Sequence, residues 1–199
     1  ASDLHAASVI LENGGNAFDA AGVAVFTSRE SEYYLTGAGG GGGFLACPAN
    51  CDPILFDFFV DTPPPQPDKE LDFFDIMVDF GPSQQEFHIG QGSVAIPGNT
   101  AGLLEAHQRL GQVPLIAVLE PAVVAARSGV ILNEAQAYLI KILEPILINS
   151  TAGCDLFRPN GKLLKKGDRF QNPSFADFLN MLVAEGSRYF YEGDGAELI

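Results

Sequence analysis

Thr36-Gly37-Ala38-Gly39-Gly40-Gly41-Gly42-Gly43-Phe44-Leu45 places five consecutive glycines between two apolar runs, Tyr33-Tyr34-Leu35 and Phe44-Leu45-Ala46. Flexible linkers sit in Ser-rich or polar surroundings. These glycines instead interrupt what reads as core. Two readings follow: a plain mobile loop, or a packed turn beside a functional site, where side chains must be missing so that another backbone or a ligand approaches closely. The apolar flanks favour the packed turn. A phosphate-binding loop is not supported, because such a loop needs Gly-Lys-Ser/Thr opening a helix, whereas Phe44-Leu45-Ala46 reads as a strand. The dinucleotide fingerprint fails on the same context.

Upstream of the glycines the pattern is helical. Residues 3–13 carry an apolar face of Leu4, Ala7, Val9 and Ile10, with Ser2 in the capping position and Gly14-Gly15 as the stop. Asn16 caps a second helix over 17–27, whose Ala17, Ala20, Ala21, Gly22 and Ala24 suit close packing. Residues 33–96 read as short strands: 33–36, 44–46, 54–60, a hairpin of 76–80 with 86–89 around Gly81-Pro82-Ser83-Gln84, and 93–96. A proline-rich loop, Thr62-Pro63-Pro64-Pro65-Gln66-Pro67, lies among them. Helices return after Pro97-Gly98. One is capped by Thr100. Another starts at Pro114 and stops at Gly129. A third is opened by Asn133 with Gln136, and a fourth by Asn172-Pro173. Helices, then strands, then helices predict an α+β layered fold rather than alternating βαβ units.

The chain has 199 residues, 47% of them hydrophobic, enough for a sizeable core. Lys+Arg number 11 against 25 Asp+Glu, a net charge of −14. A surface this acidic repels phosphate backbones and anionic membranes, so nucleic acid is not expected as a partner. No apolar run is long enough for a membrane span. Cys47, Cys51 and Cys154 lack zinc spacing, so neither a metal nor another cofactor is expected; Cys47 and Cys51 have the spacing for a local disulfide in an oxidising compartment. The ends carry neither an initiating Met nor a signal pattern, and the chain is expected to be part of a longer polypeptide.

His5, His88 and His107 are scattered. His88 is expected on a sheet face and His107 on an exposed helix face. Thr151, in Asn149-Ser150-Thr151-Ala152-Gly153, reads as part of a polar loop. No Gly-x-Ser-x-Gly elbow is present. Nothing separates a catalytic carboxylate from solvated ones among Asp57, Asp61, Asp72, Asp75 and Asp79. The residues alone thus define no self-sufficient active site.

Six motifs in order carry a resemblance. They are Gly14-Gly15-Asn16-Ala17-Phe18-Asp19-Ala20-Ala21, the glycine segment from Gly37 to Phe44, Ser93-Val94-Ala95-Ile96-Pro97-Gly98-Asn99-Thr100-Ala101-Gly102-Leu103-Leu104-Glu105-Ala106-His107, Leu119-Glu120-Pro121-Ala122, Lys165-Lys166-Gly167-Asp168, and Phe190-Tyr191-Glu192-Gly193. Together they resemble the gamma-glutamyltransferases (gamma-glutamyl transpeptidases) across essentially the whole chain. The resemblance implies an N-terminal-nucleophile hydrolase with an αββα sandwich, of which residues 1–199 are the first part of the large subunit within a single domain. It implies a partner small subunit carrying a Thr nucleophile, released by self-cleavage. It also implies gamma-glutamyl or other amide substrates, and a periplasmic or extracellular location. No catalytic residue is assigned to residues 1–199, which do not include the Thr-Thr-His nucleophile segment.

One departure matters. The family's Asp-x-Arg-Glu run holds a substrate carboxylate on its arginine, and by alignment with Asp57-Phe58-Phe59-Val60 that position is Phe59. A phenyl ring cannot replace a bidentate guanidinium contact. Either another residue supplies the cation, with Arg29 as a candidate that otherwise reads as a surface charge, or the acyl group lacks the carboxylate. Three functions therefore stay open: a gamma-glutamyltransferase with altered donor recognition, an amidohydrolase of cephalosporin-acylase type with Phe59 lining an apolar pocket, and a non-catalytic relative kept for binding.

Overall fold

The computed structural model describes residues 2–64 and 70–198. In chain order it contains α1 (Ser2–Glu12), α2 (Ala17–Ser31), β1 (Gly42–Ala46), β2 (Ile54–Phe58), β3 (Phe74–Asp79), β4 (Gln84–Ile89), α3 (Asn99–Leu110), α4 (Leu115–Ser128), β5 (Val130–Ile131), α5 (Glu134–Ile142), α6 (Glu144–Leu147), α7 (Thr151–Phe157), β6 (Arg169–Phe170), α8 (Pro173–Glu185) and α9 (Arg188–Tyr191). The mixture is α+β, as the sequence predicts. Pro65-Gln66-Pro67 of the proline-rich loop lies outside the described residues. The chain divides into two compact units: Ala1–Asp61 with Pro97–Gly129 and Asn172–Ile199, and Thr62–Ile96 with Val130–Gln171.

The first unit is built around α2. Asn16 accepts from the Phe18 and Asp19 amides at 2.8 and 3.0 Å, and Asp19 returns the bond to the Asn16 amide at 2.8 Å, completing a capping box. Asp19 is fully buried and also accepts from the Gln112 amide at 3.1 Å, tying the start of α2 to the α3–α4 connection. Gly22 lets α4 come close, since a Cβ there would sit 3.2 Å from a Val118 methyl. Val23, Phe26, Leu103, Leu104, Val118, Leu119, Leu179 and Leu182 form the core of α2, α3, α4 and α8.

β1 and β2 form an antiparallel hairpin registered Gly42↔Phe58 to Ala46↔Ile54. Its inner face, with Phe44, Ala46 and Phe56, packs on Ala106 of α3 and on Phe18. Leu45 and Leu55 face each other on the outer side, both exposed. The link between the strands carries Cys47 and Cys51 as free, exposed thiols.

The second unit holds the β3–β4 hairpin, registered Phe74↔Ile89 to Asp79↔Gln84, and the β5–β6 pair. Val78, Ile89, Leu132, Ile140, Phe157, Leu164 and Phe170 are buried there. His88 lies opposite Asp75 and stacks on Phe73 at 4.8 Å, a sheet-face position as expected.

Several local expectations are corrected. Residues 33–36 are a turn and not a strand. Nothing in Ser28-Arg29-Glu30-Ser31 stops α2, which runs on to Ser31, and the Leu35 and Thr36 amides then fold back onto the Glu32 carbonyl. Residues 93–96 are not a strand either; Gly90, at φ 101°, starts a 3-10 turn over Gln91–Ser93. β2 ends at Phe58 because the Asp57 carboxylate takes the Phe59 amide at 3.2 Å. Ser150 accepts from the Gly153 amide and starts α7, so Thr151 is helical and not in a loop. His107 is mostly buried, its Nε2 2.9 Å from the Val113 carbonyl and 3.5 Å from Asp19.

Gly102, on the second turn of α3, lies flat against Phe58, and a Cβ there would overlap the ring. Gly102→Ala should therefore destabilise the protein by about 1–3 kcal/mol through overpacking. Chemical denaturation checks this, and Phe58→Ala in the same chain should remove most of the extra cost of Gly102→Ala. Glu30 is 1% exposed and its Oε2 has no hydrogen-bond partner. Burial raises its pKa to about 8 from an ordinary 4.5. The unfolded chain then gives up this proton near pH 4.5 and the folded chain only near 8, so between those values the folded state binds more protons and stability falls as pH rises. Glu30→Gln should flatten that fall in urea midpoints measured from pH 5 to pH 8.

Candidate functional site

The glycine turn, the end of β2 and the start of α3 meet in the first unit. The amides of Gly98 and Asn99 both donate to the Gly40 carbonyl, at 3.2 and 3.1 Å. A Cβ on Gly41 would sit 2.5 Å from the Val60 nitrogen and 2.9 Å from the Phe59 carbonyl carbon. A Cβ on Gly98 would reach the Phe58 and Phe59 carbonyl oxygens. Only bare backbone fits at Gly41 and Gly98, which is the packed turn expected from the apolar flanks. No neighbouring atom restricts a Cβ on Gly39, so the run is tight at its Gly40–Gly41 end and open at its tip.

α3 starts from Gly98, a residue without a capping side chain, and no acidic residue lies in its first turn. Thr100, expected as the cap, is instead the second helical residue and is buried, with its hydroxyl 3.4 Å from the Ala38 carbonyl. The Ala101 amide donates to the Tyr191 hydroxyl at 3.3 Å, and that hydroxyl donates to the Pro97 carbonyl at 2.8 Å. The positive end of the α3 dipole is thus presented with no carboxylate of its own turn to offset it.

Arg29 reaches this point from the last turn of α2. The surface-charge reading is overturned: Arg29 is 4% exposed. Its guanidinium stacks on the Phe26 ring at 4.4 Å, and Nη2 donates to Asn99 Oδ1 at 2.8 Å. Asn99 Nδ2 in turn donates to the Gly37 carbonyl at 2.7 Å. One line of bonds therefore runs from the buried cation through the first residue of α3 to the glycine turn. Arg29 Nε and Nη1 are buried without an acceptor. Burial lowers its pKa to about 10, which leaves it charged at neutral pH.

Phe59 follows β2 directly and the residue is 73% exposed. The structure brings its backbone against Gly41 and Gly98, so Phe59 and Arg29 flank the same helix start. His88, Thr151 and the Asp72, Asp75 and Asp79 carboxylates belong to the second unit. Among the described residues no group of three or more His, Cys, Asp and Glu side chains is placed to hold a metal ion. Among the described residues no helix is long and apolar enough to cross a membrane. Asn99 lies within the motif over 93–107, which assigned it no role of its own. Its signal was its place between Gly98 and Thr100, where a short amide side chain follows a glycine at a helix start.

The sequence pattern of the gamma-glutamyltranspeptidase family matches residues 4–199. The glutathione hydrolase proenzyme of Escherichia coli is 32% identical over 191 residues, covering 96% of this chain and 32% of that protein. Glutathione hydrolase proenzyme 2 of Schizosaccharomyces pombe is 31% identical over 186 residues, covering 93% of this chain and 29% of that protein. The chain thus spans about a third of the length of these curated relatives. The crystal structure of the Bacillus anthracis transpeptidase CapD matches with a TM-score of 0.78 at 25% identity, over 100% of this chain and 60% of that one. With this match over nearly its whole length, and with the glycine turn seated on the start of α3, the chain belongs to the gamma-glutamyltranspeptidase family.

Proposed function

We propose that residues 1–199 are part of the large subunit of a single N-terminal-nucleophile hydrolase domain that cleaves gamma-glutamyl amides. The family match over residues 4–199 carries this reading. The names of the matched relatives, glutathione hydrolase proenzymes, support a self-processed enzyme acting on glutathione-like donors. In the proposed reaction a Thr hydroxyl at the new N-terminus of a partner small subunit attacks the amide carbonyl. Its own amine takes the proton and returns it to the departing amine. The acyl group passes from that Thr to water or to an amino acid. This chain contributes the acyl-donor side, at Phe59 and the start of α3.

Phe59 favours a second reading as well. An exposed ring beside bare backbone suits an apolar acyl group, as in an amidohydrolase of cephalosporin-acylase type. A non-catalytic binding relative is the third reading. The full-length protein, expressed so that it can process itself, separates them. The leading reading expects a cleaved two-subunit product that releases p-nitroaniline from gamma-glutamyl p-nitroanilide. It also expects Phe59→Arg to lower KM for that donor about tenfold, by adding a second cation beside the helix start. Processing with cleavage only of apolar acyl anilides, and a loss on Phe59→Arg, would move the assignment to the acylase. No processing and no turnover would leave the binding role.

A further inference from the structure

A side-chain amide presents an oxygen on one side and an NH2 on the other, and a half turn exchanges them. Asn99 is buried between two partners that accept only one of these arrangements. Arg29 can only donate, so its Nη2 admits Asn99 Oδ1, at 2.8 Å. That leaves Asn99 Nδ2 to donate to the Gly37 carbonyl, at 2.7 Å. The reverse orientation would set NH2 against guanidinium and oxygen against oxygen. The Phe26 ring, 4.4 Å from the Arg29 guanidinium carbon, fixes the plane from which this choice is made.

The glycine turn has no side chains of its own with which to select a conformation. Its carbonyls are held from the start of α3 instead. Gly37 takes Asn99 Nδ2, Ala38 faces the Thr100 hydroxyl at 3.4 Å, and Gly40 takes the Gly98 and Asn99 amides. The next residue, Gly41, is the one whose Cβ would sit 2.5 Å from the Val60 nitrogen and 2.9 Å from the Phe59 carbonyl carbon. A change in the path of residues 37–40 therefore reaches the backbone of Phe59 and Val60 through direct contact, with no intervening side chain to absorb it.

We infer that Arg29 is a positioning residue for the acyl-donor side of the site. It orients Asn99, Asn99 sets the glycine turn, and the turn sets the backbone that carries Phe59. The inference rests on the amide-cleaving reading above and adds to it two residues that act on the donor without touching it.

The test uses the full-length, self-processed enzyme with gamma-glutamyl p-nitroanilide as donor. Asn99→Asp keeps an acceptor for Arg29 and places a negative charge at the start of α3, so the urea midpoint should hold or rise. It also removes the donor to Gly37. KM should then rise about tenfold, the scale of a small misplacement at a binding surface, and hydrogen exchange at residues 37–41 should quicken. Arg29→Met, which frees the Asn99 amide to turn, should raise KM to a similar extent. In an Asn99→Ala background Arg29→Met should change KM no further, because both act through one bond. Incomplete folding lowers the apparent kcat but leaves KM in place, so a purely structural role for either residue does not move this readout. An Asn99→Asp enzyme with KM within about twofold of wild type, or KM effects that multiply in the double variant, overturns the inference. Unchanged exchange at residues 37–41 overturns it whichever donor the enzyme takes. Absence of turnover by processed wild-type enzyme instead removes the amide-cleaving reading.

Discussion

The first unit depends on a place where three backbones meet without side chains. Gly40 and Gly41 come from the turn, Phe58–Val60 from the end of β2, and Gly98 from the start of α3. The Gly40 carbonyl receives two amides from α3, while Gly41 and Gly98 leave no room for a Cβ against the 58–60 strand end. A methyl group at either position pushes backbone against backbone, which has no rotamer through which to relax. Gly102 extends the contact one turn further, against the Phe58 ring. The hairpin therefore meets α3 by steric exclusion as much as by attraction, and the direction of α3 follows from it.

Much of this was legible in the sequence because its signals are local. Asn16 with Asp19 and Asn133 with Gln136 are capping boxes that the backbone completes wherever it folds. The apolar flanks of the glycine run announced a packed turn, since a solvated linker has no use for them. The errors came where local signals were silent or competed. Tyr33-Tyr34-Leu35-Thr36 has strand composition but follows a helix that lacks a stop, and helix propagation to Ser31 left too little chain to form a strand before the turn. Residues 149–153 read as a polar loop because Asn149, Ser150 and Thr151 are polar, while Phe157, the buried residue of that helix, lies seven residues beyond the Ser150 cap.

Burial of charge was the least legible feature. Ser28-Arg29-Glu30-Ser31 has the composition of a surface turn, and composition cannot show that α3 and the glycine turn close over it. Adjacent positions then meet the low dielectric in different ways. Glu30 can become neutral, and does so up to about pH 8. Arg29 cannot at neutral pH, so it must rely on the Phe26 face, the Asn99 side-chain oxygen Oδ1 and the end of α2. The side chain that accepts from its guanidinium, Asn99, lies seventy positions away in the chain, beyond the reach of any local pattern.

Where the cation stands changes what it can do. An arginine on the exposed segment after β2 would have to give up side-chain freedom each time it gripped an anion, and water would compete for it throughout. Arg29 has already given up that freedom, with its plane set by Phe26 and its end by Asn99. The ordering cost was met when the unit folded. Phe59 then occupies the exposed position with an apolar ring.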